Sequence, residues 1–183
     1  VTSGFKSPLL FSVDGSYRFN TNYKVLLNAS KNFRVPTFND LFWQPGGNPN
    51  LKPETSYQVD LGHQISYKWV TLDLNTYYIK NENLIQWKPS NSGFWSPINI
   101  DQTHSYGTEV GLTATKSLGK HQFKFTGNYS YTISENTKTK KQLIYVPKHK
   151  ANLSLAYNYK RLSFYYQHLY NDMVFTTSDN LTG

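Results

Sequence analysis

The stretch of sequence that decides the fold is FRVPTFNDLFWQPGGNPNLKPE, Phe33 to Glu54. It holds Pro36, Pro45, Pro49 and Pro53, half of the chain's eight prolines. Proline withholds a backbone donor from a sheet, and glycine weakens an extended segment. The prolines and the Gly46–Gly47 pair therefore predict a long loop with a defined conformation. On both sides of this loop the chain alternates apolar and polar residues for about ten residues at a time.

The alternating segments predict β-strands with one apolar and one polar face, because successive side chains of a strand point in opposite directions. Eight such strands are predicted along the chain. They are Leu9–Phe19, Tyr23–Phe33, Tyr57–Tyr67, a strand from Val70 to between Asn81 and Trp87, Tyr106–Thr115, Phe123–Ile133, Ala151–Tyr159 and Leu162–His168. The predicted fold class is therefore all-β.

The connections between the predicted strands alternate in length. Short turns alternate with long segments, which include the loops Trp87–Asn99 and Ser134–Pro147. Strands of about ten residues exceed those typical of soluble sheets and match the nine to eleven that cross a bilayer at a tilt. Together these features predict an antiparallel up-and-down transmembrane β-barrel with short periplasmic turns and longer extracellular loops.

The direction of the apolar face separates this barrel from a soluble one. A lipocalin-like or adhesin-like ligand-binding domain shows the same alternation but turns its apolar face inward. Aromatic residues crowd the strand ends at the short turns, where a membrane barrel places an aromatic belt. They are Phe19, Tyr23, Tyr67, Trp69, Tyr157 and Tyr159. Aromatic residues also suit strands in general, so the soluble alternative stays open.

Composition sets further limits on the class of protein. With 183 residues the chain has the length of one domain or of a piece of a larger one. No apolar run approaches the eighteen or so residues of a transmembrane helix, and no signal-peptide pattern opens the chain. The absence of cysteine excludes disulfides, thiolate metal sites and cysteine nucleophiles.

The net charge of +8 raises the question of a nucleic-acid partner. The lysines are dispersed, however, and the densest group, Lys138, Lys140 and Lys141, lies in a polar segment typical of a solvated loop. No RRM, KH, helix-turn-helix or zinc-finger pattern accompanies them. Nucleic acid is therefore not an expected partner.

Catalysis finds no support in the sequence motifs. The five histidines show no HExxH, H-x-E or i,i+4 spacing. No nucleophile elbow, P-loop or dinucleotide fingerprint is present. We therefore expect neither an enzyme nor a protein with a resident metal or cofactor.

Three segments carry a resemblance to a known family. The motif FR-x-P-x-x-x-DLFW followed by NPNLKPE resembles the barrel signature of TonB-dependent outer-membrane receptors. WSPINIDQTHSYGTEVGL resembles that family's hairpin with a G-x-E strand start, and YVPKHKANLSLAY resembles its Y-x-P-x-H strand entry. The resemblance implies a plugged barrel of the 22-stranded type in the bacterial outer membrane. Its implied partners are lipid, TonB in the full-length receptor, and a ferric siderophore, haem or cobalamin as the imported ligand.

The resemblance also bears on domain organisation. Both chain ends fall on the predicted extracellular side, whereas a complete barrel of this family begins and ends at the periplasmic side. Residues 1–183 are therefore expected to be a partial β-barrel domain, an internal segment from the C-terminal part of the barrel, with the plug and the remaining strands absent. Residues for gating and TonB coupling are expected to lie outside it.

The candidate ligand-binding residues lie in the predicted extracellular loops, which carry binding on rigid scaffolds. They are Trp43, Gln44, Trp87, Phe94 and Trp95. Such large side chains either line a vestibule for a bulky nutrient complex or pack loop on loop and form the outer aromatic girdle.

Two charged residues are expected to have supporting roles. Arg34 is placed to tie the long loop to the rim through bidentate bonds, and Glu109 to pair with a basic residue across strands.

Overall fold

The computed structural model describes residues 6–91 and 93–183, which form an antiparallel sheet of eight strands in chain order. The strands are β1 Phe11–Asn20, β2 Tyr23–Arg34, β3 Glu54–Tyr67, β4 Val70–Pro89, β5 Trp95–Leu118, β6 His121–Asn136, β7 His149–Tyr159 and β8 Leu162–Asn171. Each strand pairs with the next one along the chain. The prediction of an all-β, up-and-down arrangement is confirmed.

Turns of two residues join the strands at one end of the sheet, which we call the short-turn rim. They are residues 21–22, 68–69, 119–120 and 160–161. Lys68, Gly119 and Lys160 adopt positive φ angles of 52°, 58° and 52°. Primed hairpin turns need such a φ at their first central position, because it matches the twist of the flanking strands. The opposite end, the long-loop rim, carries segments 35–53, 90–94 and 137–148.

The two faces of the sheet differ in polarity, as the alternation predicted. Val59, Leu61 and Leu155 point outward and are 49%, 39% and 40% exposed. The other face is concave and surrounds a cavity of about 990 Å³ whose lining includes Asp60 and Glu109. This is the polarity of a membrane barrel, polar inside and apolar outside, and the reverse of a lipocalin-like barrel.

Polar side chains link neighbouring strands across the concave face. The pairs are Asn28 Nδ2 to Asp14 Oδ1 at 2.5 Å, Gln64 Nε2 to Asp73 Oδ1 at 2.9 Å and Asn128 Nδ2 to Asn152 Oδ1 at 3.0 Å. Glu109, by contrast, lies opposite Asn75 and Ser130. The predicted pairing of Glu109 with a basic cross-strand neighbour is therefore wrong.

One inner-face contact spans three strands. Tyr77 on β4, Gly107 on β5 and Thr132 on β6 are in register. The Tyr77 hydroxyl and Thr132 Oγ1 are 2.6 Å apart, so the tyrosine crosses over the glycine to reach them. A Cβ at Gly107 would lie 2.0 Å from the Tyr131 carbonyl oxygen and 2.9 Å from the Tyr77 hydroxyl. Only glycine fits this close approach.

The long-loop rim differs from the sequence-based prediction in two places. Residues 87–99 were expected to be a loop, but β4 and β5 continue to Pro89 and from Trp95, so Trp87 and Trp95 are strand residues. Only residues 90–94 form the tip, and Ser92 lies outside the described residues. The loop 35–53 also contains a short helix that was not predicted, α1 Phe38–Phe42.

The extended hairpin stands above its neighbours. Strand pairing of β4 with β3 stops at Glu82, and pairing of β5 with β6 begins at Thr103. The remaining seven residues of β4 project about 20 Å beyond the sheet at the usual rise of a strand.

Among the described residues, no helix has the length and apolar character that a membrane crossing would need.

Candidate functional site

A bidentate ion pair closes the base of loop 35–53. Arg34, the last residue of β2, and Glu54, the first of β3, are cross-strand partners. Arg34 donates from Nε to Glu54 Oε2 at 2.6 Å and from Nη2 to Oε1 at 2.8 Å. The predicted role of Arg34 in tying the loop to the rim is confirmed. The parallel pair of charge-assisted bonds fixes the direction as well as the distance between the loop ends.

A capping box begins the helix α1 in this loop. Thr37 Oγ1 accepts a hydrogen bond from Asp40 N at 3.1 Å, and Asp40 Oδ2 accepts one from Thr37 N at 2.9 Å. Asp40 thus plays the part that Glu or Gln usually plays in this motif. The sequence TFND carries this capping signal. The capping box places the Asp40 carboxylate next to the hairpin, within reach of Trp87.

Asp40 joins the loop to the hairpin. Asp40 is 6% exposed, and Trp87 of β4 donates from Nε1 to Asp40 Oδ1 at 2.9 Å. Burial disfavours the carboxylate, but the hydrogen bonds from Thr37 and Trp87 and the nearby charge of Arg34 outweigh it. Together they hold the pKa of Asp40 below its ordinary value. The charged form is therefore the one that the folded loop stabilises.

The remaining contacts between loop and hairpin are of two kinds. Backbone groups of the loop are bound by the hairpin: Asn99 Oδ1 accepts from Lys52 N at 2.8 Å, and Asn99 Nδ2 donates to Lys52 O at 2.9 Å. Apolar packing adds a small cluster of Leu41, Leu51 and Ile85, each 8% exposed or less. We call loop 35–53 together with residues 83–100 of the hairpin the cap.

Gly46 allows a close approach within the cap. A Cβ at this position would lie 2.1 Å from the backbone oxygen of Trp95. The turn after α1 is therefore pressed against the start of β5, which no larger residue would permit.

The five predicted ligand-binding residues all lie in or at the tip of the cap, but in different environments. Trp43 and Trp95 are 40% and 39% exposed, and Gln44 is exposed next to Trp43. Phe94 is half-buried at the hairpin tip. The half-buried Trp87 ring meets Trp43 edge to face at 5.6 Å and is held by Asp40. Trp87 thus packs within the cap, whereas Trp43 and Trp95 present ring surface.

One aromatic neighbour was missed by the sequence reasoning. Tyr145, in segment 137–148, is 53% exposed and its ring centroid lies 6.2 Å from that of Trp95. Gln142 and Asn180 hold this segment against the C-terminal stretch, with Asn180 Oδ1 accepting from Gln142 N at 2.8 Å. No sequence signal relates Tyr145 to Trp95, because the contact depends on the height of the hairpin.

Metal-binding potential is absent from the part of the chain that the structure describes. No group of three or more histidine or acidic residues is arranged there to hold an ion.

Comparisons with known proteins agree with this architecture. The family model for the TonB dependent receptor-like β-barrel matches residues 2–182. The vitamin B12 transporter BtuB of Photobacterium profundum is 31% identical over 146 residues, 78% of this chain and 23% of the relative. The chain thus spans less than a quarter of that relative's length.

Two solved structures share the fold. The copper transporter OprC superposes with a TM-score of 0.70 at 18% identity, covering 83% of this chain and 24% of the other. The siderophore receptor PirA from Acinetobacter baumannii gives a TM-score of 0.66 at 18% identity, covering 85% of this chain and 28% of the other.

Proposed function

This chain belongs to the family of TonB-dependent receptor β-barrels, and we propose that residues 1–183 form part of the barrel wall of a bacterial outer-membrane receptor. The receptor imports a scarce nutrient, such as a ferric siderophore, haem or cobalamin, without chemical change. In the full-length receptor, energy for import comes through TonB. A plug and further strands outside this chain complete the barrel.

The observation that carries this proposal is the polarity of the sheet. Aliphatic side chains such as Val59 and Leu61 stand exposed on the convex face, where water would leave them poorly solvated and lipid would cover them. The concave face is polar and hydrogen-bonded across strands. A soluble ligand-binding barrel, the alternative function, would instead seal these aliphatic side chains inside.

We place the nutrient against the aromatic surface of Trp43, Trp95 and Tyr145. These three residues are 40%, 39% and 53% exposed. Trp43 and Tyr145 lie in the two longest connections of the rim, and Trp95 lies in the hairpin between them. The cap beneath them is fixed by the Arg34–Glu54 pair, so the rings are presented on a rigid base. Flat, half-exposed rings suit a bulky solute with large apolar or conjugated surfaces.

Cobalamin is the first ligand to test, because the Photobacterium profundum relative is named as a vitamin B12 transporter. Ferric siderophores form the second group. The solved structures are too distant in sequence to favour either ligand, since at 18% identity they support the fold alone.

Binding to the full-length receptor tests the proposal. Cyanocobalamin and a panel of ferric siderophores are titrated against wild type and against the combined variant Trp43→Ala, Trp95→Ala, Tyr145→Ala. We expect a loss of at least about tenfold in affinity for the true ligand, since a single buried aromatic contact contributes on the order of 1 kcal/mol or more. Trp69→Ala, at the opposite rim, is the control and is expected to bind normally.

Two results would overturn parts of this function. Unchanged affinity in the triple variant would remove the aromatic surface from the binding site. Recovery of the receptor as a detergent-free soluble protein, rather than in the outer-membrane fraction, would remove the importer itself and favour the soluble alternative.

A further inference from the structure

A groove on the convex face of the sheet, close to the short-turn rim, is not used by the proposed nutrient site. It has a volume of about 350 Å³, and its lining includes Trp69, Ala114, Lys116, Phe123, Leu155 and Phe164. We call it the basal groove. Its volume lies within the range of small-ligand pockets, and all but one of these six side chains are apolar or aromatic.

Lys116 is the exception among these six, and Lys124 also lines the groove. Lys116 pairs in register with Phe123, so its side chain belongs to the apolar convex face. Its Nζ lies 4.9 Å from the centre of the Trp69 ring. A lysine on this face is costly at mid-bilayer but tolerated near the interface, where its ammonium reaches the headgroups. The basal groove thus runs from hydrocarbon depth to a cation at headgroup level.

The surroundings of Lys116 are positive. Segments 15–26, 61–72, 112–127 and 153–167, which include the four short turns, contain no Asp or Glu. The short turns and the groove carry Lys68, Lys116, Lys120, Lys124, Lys160 and Arg161, whereas Arg18 and Lys24 pair in register on the inner face, where Lys24 lines the cavity. Lys68 and Lys160 also lie over aromatic rings, at 5.2 Å from Tyr67 and Tyr159. A headgroup with net negative charge is the complement of this rim, whereas a zwitterionic one also brings an ammonium toward it.

We propose that the basal groove holds an anionic phospholipid of the periplasmic leaflet, with an acyl chain along Phe123, Leu155 and Phe164 and its phosphate against Lys116. This inference rests on the outer-membrane location proposed above. Ala114 is among the smallest of the lining side chains, so a larger residue at this position would fill part of the groove. Trp69 stays beside Lys116 because its backbone oxygen accepts a hydrogen bond from Thr115 N at 2.9 Å.

Lipid retention by the full-length receptor tests the proposal. The receptor is purified in mild detergent with equal amounts of phosphatidylglycerol and phosphatidylethanolamine, and retained lipids are measured by native mass spectrometry. Wild type is expected to retain phosphatidylglycerol preferentially. Lys116→Gln should lower that preference about fivefold, the effect expected for one basic residue at an anionic surface. Lys116→Arg should keep it.

Two further variants separate the groove from its surroundings. Lys120→Gln removes a charge from the same rim outside the groove lining and should lower the preference less than Lys116→Gln does. Ala114→Leu keeps the charge but fills part of the groove, and should reduce retention of both lipids. Heat-modifiable migration on gels shows for each variant that the barrel is folded.

Four results would overturn the proposal. They are equal preference in wild type and Lys116→Gln, an equal loss in Lys120→Gln, displacement of the lipid by inorganic phosphate, and a receptor dimer that Ala114→Leu dissociates. The last would assign the groove to a second copy of the chain. A receptor that is in the outer membrane and binds its nutrient, yet shows any of these results, refutes the lipid site alone.

Discussion

Replacing Trp87 by Phe should loosen the cap without changing the barrel wall. The indole Nε1 of Trp87 donates to the Asp40 carboxylate at 2.9 Å, and Asp40 is 6% exposed. Phenylalanine keeps a ring against Trp43 but cannot donate. The carboxylate then remains buried with one hydrogen-bond donor fewer. An acceptor left buried without its donor destabilises the folded state, because its lost hydration is no longer compensated.

The size of the effect follows from the charge on Asp40. Hydrogen bonds to charged groups contribute about 1.5–3 kcal/mol. Because each 1.4 kcal/mol corresponds to a tenfold change in an equilibrium constant, the open cap should become about 10- to 150-fold more populated. The ion pair of Arg34 and Glu54 at the base of the loop is untouched, so opening should stop at β2 and β3.

Amide hydrogen exchange in the full-length receptor measures this opening. The informative amides are Asn48 N, bonded to Asp40 O at 2.8 Å, and Lys52 N, bonded to Asn99 Oδ1 at 2.8 Å. Amides of β3 serve as an internal reference. Trp95→Phe is the matched control, since within the described chain the Trp95 indole makes no hydrogen bond. Unchanged exchange at Asn48 and Lys52, or an equal increase in the control, would refute the coupling of the cap through Asp40.

The other predictions concern pH, polarity and a close approach. The pKa of Asp40 is held below its ordinary value of 3.8. The contribution of Asp40 to cap stability is therefore complete above pH 3.8 and is lost as the pH falls through the lowered pKa. Amide hydrogen exchange in the cap should increase over this pH range in wild type and not in Asp40→Asn. Leu61→Arg on the convex face should cost roughly 2–4 kcal/mol near mid-bilayer and block assembly in gel-shift assays, whereas Asn75→Arg on the concave face should assemble. Gly107→Ala places a Cβ 2.0 Å from a backbone oxygen and should lower the unfolding free energy by about 1–3 kcal/mol in denaturant titrations, whereas Gly15→Ala, with no atom within 4 Å, should not.

Most of the wall was predictable from sequence because a strand whose two faces differ in polarity must repeat with period two. The short turns were equally readable, since a two-residue connection leaves little freedom. The height of the β4–β5 hairpin was not. Pro89 and Pro97 argue against an extension of these two strands. Residues 95–102 of β5, however, have no pairing partner in β6. Proline is tolerated on such an edge, where its missing donor has no partner to satisfy.

The candidate site was predictable only where its contacts are local or its geometry is simple. Arg34 and Glu54 flank one loop, so a strand pair at its base brings them together. Asp40 and Trp87 are 47 residues apart, and nothing in either segment specifies the other. Tyr145 reaches Trp95 only because the hairpin is tall. The aromatic residues were therefore identified by type, while their division into packed and exposed rings required the structure.

The distribution of buried apolar side chains shows that the cap and the wall are stabilised by different means. Among the described residues, the buried aliphatic side chains are Leu41, Leu51, Ile85, Ile100, Leu143 and Ile144, all at the long-loop rim. The wall between the rims has no such core, because one face meets the cavity and the other is exposed. Its order comes from the continuous backbone ladder and the polar pairs of the inner face, while apolar side chains such as Val59 and Leu61 stand exposed on the convex face. Loss of cap packing should therefore leave the strand register of the wall unchanged.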